Sequence, residues 1–202
     1  MADRANKPAR KSAYKRTTKE TNISLELNLD GEGISDIHSG IGFFDHMLTA
    51  LAVHGSLDMA FHIKGDLEID GHHTVEDCGI VFGCALKEAL GDKAGIARYG
   101  GVLLPMDDAL AQVALDVGGR PYLKFSAAFA NPSVGGFDLS LTKEFFYALV
   151  YSAGITLHIR LLEAENDHHA CEAIFKAFAH ALKQAVAYDG RDAVLSSKGI
   201  LV

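Results

Sequence analysis

Two histidine pairs, His72–His73 and His168–His169, are each followed by a glutamate three residues after the second histidine, Glu76 and Glu172. On a helix, positions i and i+4 share a face, as do i and i+3. Glu76 therefore lies near both histidines of its pair, and Glu172 near both of its own. Adjacent histidines point about 100° apart and cannot comfortably bind one ion together. The spacing predicts that the first histidine and the glutamate hold one divalent metal while the second histidine reaches another. Two copies then give two metals, each needing one more ligand. His46 supplies a donor at the start of the other helix in the first copy, and Glu144 sits at the equivalent place in the second. Imidazole nitrogen and carboxylate oxygen both suit a divalent transition metal.

A single HH at a helix start is ordinarily a cap or a surface feature. Its recurrence inside a longer repeat gives it weight. When the pairs are superposed, "FHIK" (Phe61–Lys64) falls on "LHIR" (Leu157–Arg160). Further upstream a two-residue shift, which a turn absorbs, brings Ala50-Leu51 onto Ala148-Leu149 and His46 onto Glu144. The chain reads as a duplicated unit of roughly 90 residues, divided near "ARYGGV" (Ala97–Val102). His62 and His158 fall at matching positions on the polar face of a strand and are read as structural; His38, His54 and His180 carry no functional reading.

The elements that must position these residues follow from periodicity. "NISLELNLD" (Asn22–Asp30), "LAQVALDV" (Leu110–Val117) and "YLKFSAAF" (Tyr122–Phe129) alternate as half-buried strands. A helix follows in each unit, Gly42–His54 and Leu139–Ala153, each closed near a glycine. A strand comes next, with Leu57, Met59, Phe61 and Ile63 on one face and Ile155, Leu157, Ile159 and Leu161 in the copy. The second helix begins at the HH pair; Cys171, Ile174, Phe175, Phe178, Leu182, Ala185 and Val186 form its apolar stripe. The expected fold class is α/β (α+β), a tandem duplication with two-layer sheets packed on helices. The expected division is a basic, disordered leader over 1–16, a first repeat over 17–98, a second over 99–190, and a C-terminal tail over 191–202.

The chain of 202 residues is 49% apolar and 22% charged, enough to bury a sizeable core. A net charge of −7 argues against nucleic acid as a partner, and the basic stretch Arg4–Arg16 reads as a solvated leader. No apolar run approaches the ~18 residues of a membrane span, and the N-terminus has no hydrophobic signal region. Cys78, Cys84 and Cys171 read as core residues in a reducing cytoplasm.

Together "FFDHML", "HHTVED", "DHHACEAIFKAFAHALKQAV" and the terminal "SSKGIL" resemble the imidazoleglycerol-phosphate dehydratases, from about Thr18 to the C-terminus. The resemblance implies a ribosomal S5 domain 2-like fold and a cytoplasmic hydro-lyase of histidine biosynthesis. It also implies two manganese ions per active site, other divalent transition metals being possible, and a 24-subunit homo-oligomer with active sites between subunits. Carried over, one metal takes His46, His73, His168 and Glu172, and the other takes His72, Glu76, His169 and Glu144. Better-known members have histidine at the position of Glu144, so the charge and affinity of that centre are altered.

The resemblance further places Glu20 on the glycerol hydroxyls of the substrate, and Arg98, Arg120, Lys176, Ser197 and Lys198 around its phosphate. Asp108 is a shortened acid where the family usually reads MDE. The implied reaction converts imidazole-glycerol phosphate to imidazole-acetol phosphate and water through a dimanganese-bound imidazolate, with one ion at each ring nitrogen. Glu20 is then the acid and base of the elimination, while Glu76 and Glu172 are required at the metals. Two rivals are a dinuclear metallohydrolase and a metal-storage assembly. The first needs an open water site, and the second would take up far more than two ions per chain.

Overall fold

The computed structural model describes residues 9–201. The first unit contains β1 (Lys11–Thr17), β2 (Thr21–Asn28), β3 (Ser35–His38), α1 (Gly42–Gly55), β4 (Asp58–Gly65) and α2 (His72–Leu90). The second contains β5 (Tyr99–Met106), β6 (Ala109–Asp116), β7 (Tyr122–Ser126), a short β8–β9 hairpin (Ser133–Val134, Phe137–Asp138), α3 (Leu141–Ala153), β10 (Thr156–Glu163) and α4 (Asp167–Val186). The two four-stranded sheets have the orders β1-β2-β4-β3 and β5-β6-β10-β7. In both, the last strand runs parallel to its neighbour and the other pairings are antiparallel. The duplication is thus a repeat of topology as well as of motif.

The register refines the repeat. Phe61 lies opposite Leu25 and Ile37, and Ile159 lies opposite Val113 and Phe125. Phe61 therefore corresponds to Ile159 rather than to Leu157, and the two-residue shift falls after the strand, in the turn leading to the second helix. His62 and His158 are both exposed on their strands, but they are not equivalent positions.

The leader expected to be disordered is an edge strand over Lys11–Thr17, so the first unit starts there; the leader's first eight residues lie outside the described part. The strand escapes periodicity because two of its three inward positions are polar, Tyr14 alone packing against the core. Ser12 Oγ donates to the Ala85 carbonyl at 2.8 Å, and Arg16 Nε donates to Asp77 at 2.8 Å. Its lysines face solvent on an open edge, where charge discourages pairing with another chain. The opposite edge strand, β3, has one buried residue, Ile37, and likewise gave no alternation to read.

Each sheet buries one face beneath helices, and the helices pair across the units: α1 on α4 and α2 on α3. The α2–α3 contact is unusually close. A Cβ at Gly79 would stand 2.5 Å from the Phe145 carbonyl oxygen, and one at Gly83 2.5 Å from that of Leu149. Aromatic rings meet across the units, where Phe44 stacks on Phe137 and meets Phe145 edge-on, and within the second unit, where Phe145 and Phe146 both meet Phe175. Each such buried ring contributes about 1.5–3 kcal/mol.

Candidate metal centre

The crossed helix pairing builds the site. His46 lies in the second turn of α1, and His168 and Glu172 lie one turn apart at the start of α4, the helix on which α1 packs. Glu172 Oε2 is 3.6 Å from His46 Nε2 and 3.4 Å from His168 Nε2. All three ligand atoms fall within 4.8 Å of one another, the one such three-donor group found among the described residues. The Phe43 ring meets the His168 ring edge-on at 5.1 Å, limiting its freedom. Asn166 caps α4, its side-chain oxygen accepting from the His168 and His169 backbone N–H groups. In the first unit, Asp70 Oδ1 accepts from the His72 N–H at 2.7 Å.

Glu172 is buried, which alone would raise its pKa. The Lys176 ammonium, 2.8 Å from Oε1, and the neighbouring His46 and His168 outweigh burial and hold it below the ordinary carboxylate value. An anionic carboxylate between two imidazoles fits a divalent cation. Burial pushes the adjacent Cys171 thiol up to about 12, which removes it as a thiolate donor.

The fourth predicted ligand of this ion, His73, is not in the group. It opens α2, where Asp66 Oδ2 lies 3.0 Å from its Nδ1. For the other predicted ion, His72 and Glu76 stand on α2 and Glu144 in the first turn of α3, again helices packed across the units. These three do not close into a comparable group, and His169 stands apart, its Nδ1 2.5 Å from Asp108 Oδ1. Asp108 also accepts from the Glu165 and Asn166 backbone N–H groups, both at 2.7 Å. The carboxylates beside His73 and His169 raise both imidazole pKa values. They also fix each ring by Nδ1, as orienting carboxylates do in metal sites, and direct Nε2 outward, where at His169 the exposed Asp107 carboxylate lies 3.7 Å away.

The predicted substrate residues are dispersed. Glu20 lies in the β1–β2 turn, its Oε2 3.9 Å from His73 Nδ1. That turn is tied to α2 by Asp77, buried one residue after Glu76, which accepts from Arg16 Nε and Thr21 Oγ1. Arg98 forks onto Asp116 at 2.7 and 3.0 Å and donates to the Leu195 carbonyl at 2.6 Å, anchoring the segment that carries Ser197 and Lys198. Lys176 contacts Glu172 and Met106 Sδ, while Arg120 is exposed before β7.

Asp66 and Asp77 had no role in the sequence reading. The signal for Asp77 was present, since the motif is HHxxED in the first unit and HHxxEA in the second. Asp66 is a turn acid with no periodic mark. His54 and His180, given no function, meet across α1 and α4 with ring nitrogens 3.3 Å apart.

The family model for imidazoleglycerol-phosphate dehydratase matches residues 39–182. A relative of that name from Methanosarcina barkeri is 56% identical over 186 residues, covering 92% of this chain and 96% of its own. One from Lachnoclostridium phytofermentans is 54% identical over 191 residues, covering 94% and 97%. Two crystal structures are similar. The dehydratase from Staphylococcus aureus has a TM-score of 0.78 at 42% identity, covering 88% of this chain and 99% of its own. That from Pyrococcus furiosus, in complex with (S)-C348, has 0.81 at 38%, covering 93% and 100%. No helix among the described residues is long and apolar enough to cross a membrane. The chain belongs to the imidazoleglycerol-phosphate dehydratase family, hydro-lyases of histidine biosynthesis.

Proposed function

We propose that the protein dehydrates imidazole-glycerol phosphate to imidazole-acetol phosphate in the cytoplasm, using two manganese ions in each active site. The observation that carries this reading is the His46–His168–Glu172 group, three donors suited to a divalent transition ion and contributed by both units. His73 would complete that centre; His72, Glu76, Glu144 and His169 would hold the second. Among the described residues, His73 and His169 stand outside any three-donor group, which supports centres completed by other copies. The 24-subunit homo-oligomer implied by the resemblance is an assembly of that kind.

When held by these residues, the ions would supply Lewis acidity that lowers the proton affinity of the substrate ring and so favours its deprotonated, electron-rich form, which can expel the adjacent hydroxyl. Glu76 and Glu172 supply negative charge at the two centres. Glu20, half exposed on its turn, donates a proton to the departing hydroxyl and takes the proton from the neighbouring carbon. Arg98 holds the tail through the Leu195 carbonyl, so that Ser197 and Lys198, with Arg120 and Lys176, gather the phosphate. Anchoring the far end of the substrate fixes the reacting carbons against Glu20.

The test is to incubate metal-stripped protein with imidazole-glycerol phosphate, with and without manganese, and follow the ketone. Manganese-dependent product is expected. Folded protein carrying about two ions per chain yet forming no product would retain the metal centre and discard the substrate.

A further inference from the structure

We infer that Asp66 is a positioning residue that holds His73 in place of Glu20, and so leaves Glu20 available to the reaction. The inference rests on the proposed role of Glu20 and adds the reason that this acid can perform it.

The two units place equivalent acids beside equivalent imidazoles. Glu20 directly precedes Thr21, the first residue of β2, and Asp108 directly precedes Ala109, the first residue of β6. β2 and β6 occupy the same place in their sheets, so Glu20 and Asp108 are equivalent turn acids. The imidazoles they face, His73 and His169, are also equivalent as the second members of the HH pairs.

Their engagements nevertheless differ. Asp108 is committed to His169 Nδ1 at 2.5 Å and to two backbone N–H groups. Glu20 remains 3.9 Å from His73 Nδ1 and is 53% exposed. The near position at His73 is taken by Asp66, at 3.0 Å and 18% exposed.

Asp66 reaches that place because it opens a longer turn, where the equivalent residue of the second unit is Ala164. In the first unit the turn between Gly65 and His72 is six residues long and opens with Asp66. In the second, only the four residues Ala164, Glu165, Asn166 and Asp167 separate β10 from His168. The longer turn brings an extra carboxylate to the imidazole. One unit therefore spends its turn acid on orienting a histidine, whereas the other orients the histidine from elsewhere and keeps the turn acid exposed.

Glu20 is close enough to move into the arrangement seen in the second unit. Closing from 3.9 Å to hydrogen-bond range needs a movement of about 1 Å, within reach of a half-exposed side chain. Removing Asp66 should thus transfer Glu20 onto His73, preserving the metal ligand at the expense of the acid–base group.

The experiment measures Mn2+ binding by the free-ion paramagnetic resonance signal in metal-stripped full-length protein. Wild type, Asp66→Ala, Glu20→Ala and the double variant are compared, and turnover is measured at saturating manganese. Glu20→Ala should bind within about 2-fold of wild type and Asp66→Ala within about 5-fold, while the double variant loses the 10–100-fold typical of a missing orienting partner. Asp66→Ala should lose at least about 10-fold in kcat despite full metal loading, since general acid–base groups contribute 10²–10⁴-fold.

Metal affinity in the double variant equal to that of Asp66→Ala would overturn the inference, as would wild-type kcat in Asp66→Ala. Asp66→Ser, too short to reach Nδ1, gives the same readings should the alanine variant misfold. The binding isotherms need no substrate, so they stand even if wild-type protein proves inactive on imidazole-glycerol phosphate.

Discussion

Replacing Gly79 by alanine tests whether the α2–α3 contact positions one metal centre independently of the other. The new methyl carbon would lie 2.5 Å from the Phe145 carbonyl oxygen, 2.8 Å from Ala148 Cβ and 3.2 Å from Leu149 N. Two of the three are backbone atoms that cannot rotate away, so the helices must separate by about 1 Å to restore ordinary contact. Overpacking of this kind costs about 1–3 kcal/mol, and alanine's better helix propensity returns about 1 kcal/mol. The net loss is up to about 2 kcal/mol, or roughly 4–8 °C in thermal midpoint for a chain of this size.

Gly42→Ala makes the same chemical change in the first turn of α1 with nothing within 4 Å, and should leave the midpoint unchanged or slightly raised. Both variants are melted at equal protein and metal concentrations, because bound metal adds its own stabilisation. A second readout follows from the helices involved. α2 carries His72 and Glu76 and α3 carries Glu144, whereas His46, His168 and Glu172 lie on the α1–α4 pair. Gly79→Ala should weaken the ion of His72, Glu76 and Glu144 more than the other, for which only His73 lies on α2. A variant melting above wild type, or losing both ions equally, would refute the reasoning.

Glu76→Gln and Glu172→Gln should each abolish turnover while circular dichroism stays native; full activity in either would exclude that carboxylate from the centre. Asp77→Ala should lower stability by about 1–3 kcal/mol and reduce kcat by loosening the turn that carries Glu20, which chemical denaturation and kinetics on one preparation can separate. Asp66 and Asp108 hold the pKa values of His73 and His169 above 6.5. Since an imidazolium cannot ligate, metal affinity should be complete above those raised values and decline as pH falls through them, with onset above pH 6.5. Metal occupancy flat from pH 8 to pH 4 would count against both ligands. Glu172 contributes with the opposite sign: its depressed pKa gives stability present above its ordinary value of 4.5 and lost as pH falls through the lower folded value.

The four helices and the central strands were legible because each buries an apolar stripe or face at a fixed period, as in Met59–Phe61 and Ile174–Phe178. β1 was not, because Ser12 and Arg16 point inward and are satisfied by hydrogen bonds rather than by apolar packing. The donors His46, His168 and Glu172 could be found by spacing within each repeat. Their meeting depends on which helix lies against which, a tertiary fact that no local period encodes. Asp66 was hidden for a related reason: a single turn acid looks like any solvated carboxylate until its imidazole neighbour is placed.

The crossing of α1 onto α4 and α2 onto α3 also bears on how such a molecule could arise. A half-length ancestor would have His46-like and HHxxE-like donors on separate helices, with no way to bring them together by itself. Two identical copies docked through those helices would form two identical centres. Joining the copies into one chain keeps both centres and releases each from having to match its twin. The present sequence has the marks of that release: histidine at 46 opposite glutamate at 144, and an exposed acid at 20 opposite a committed one at 108.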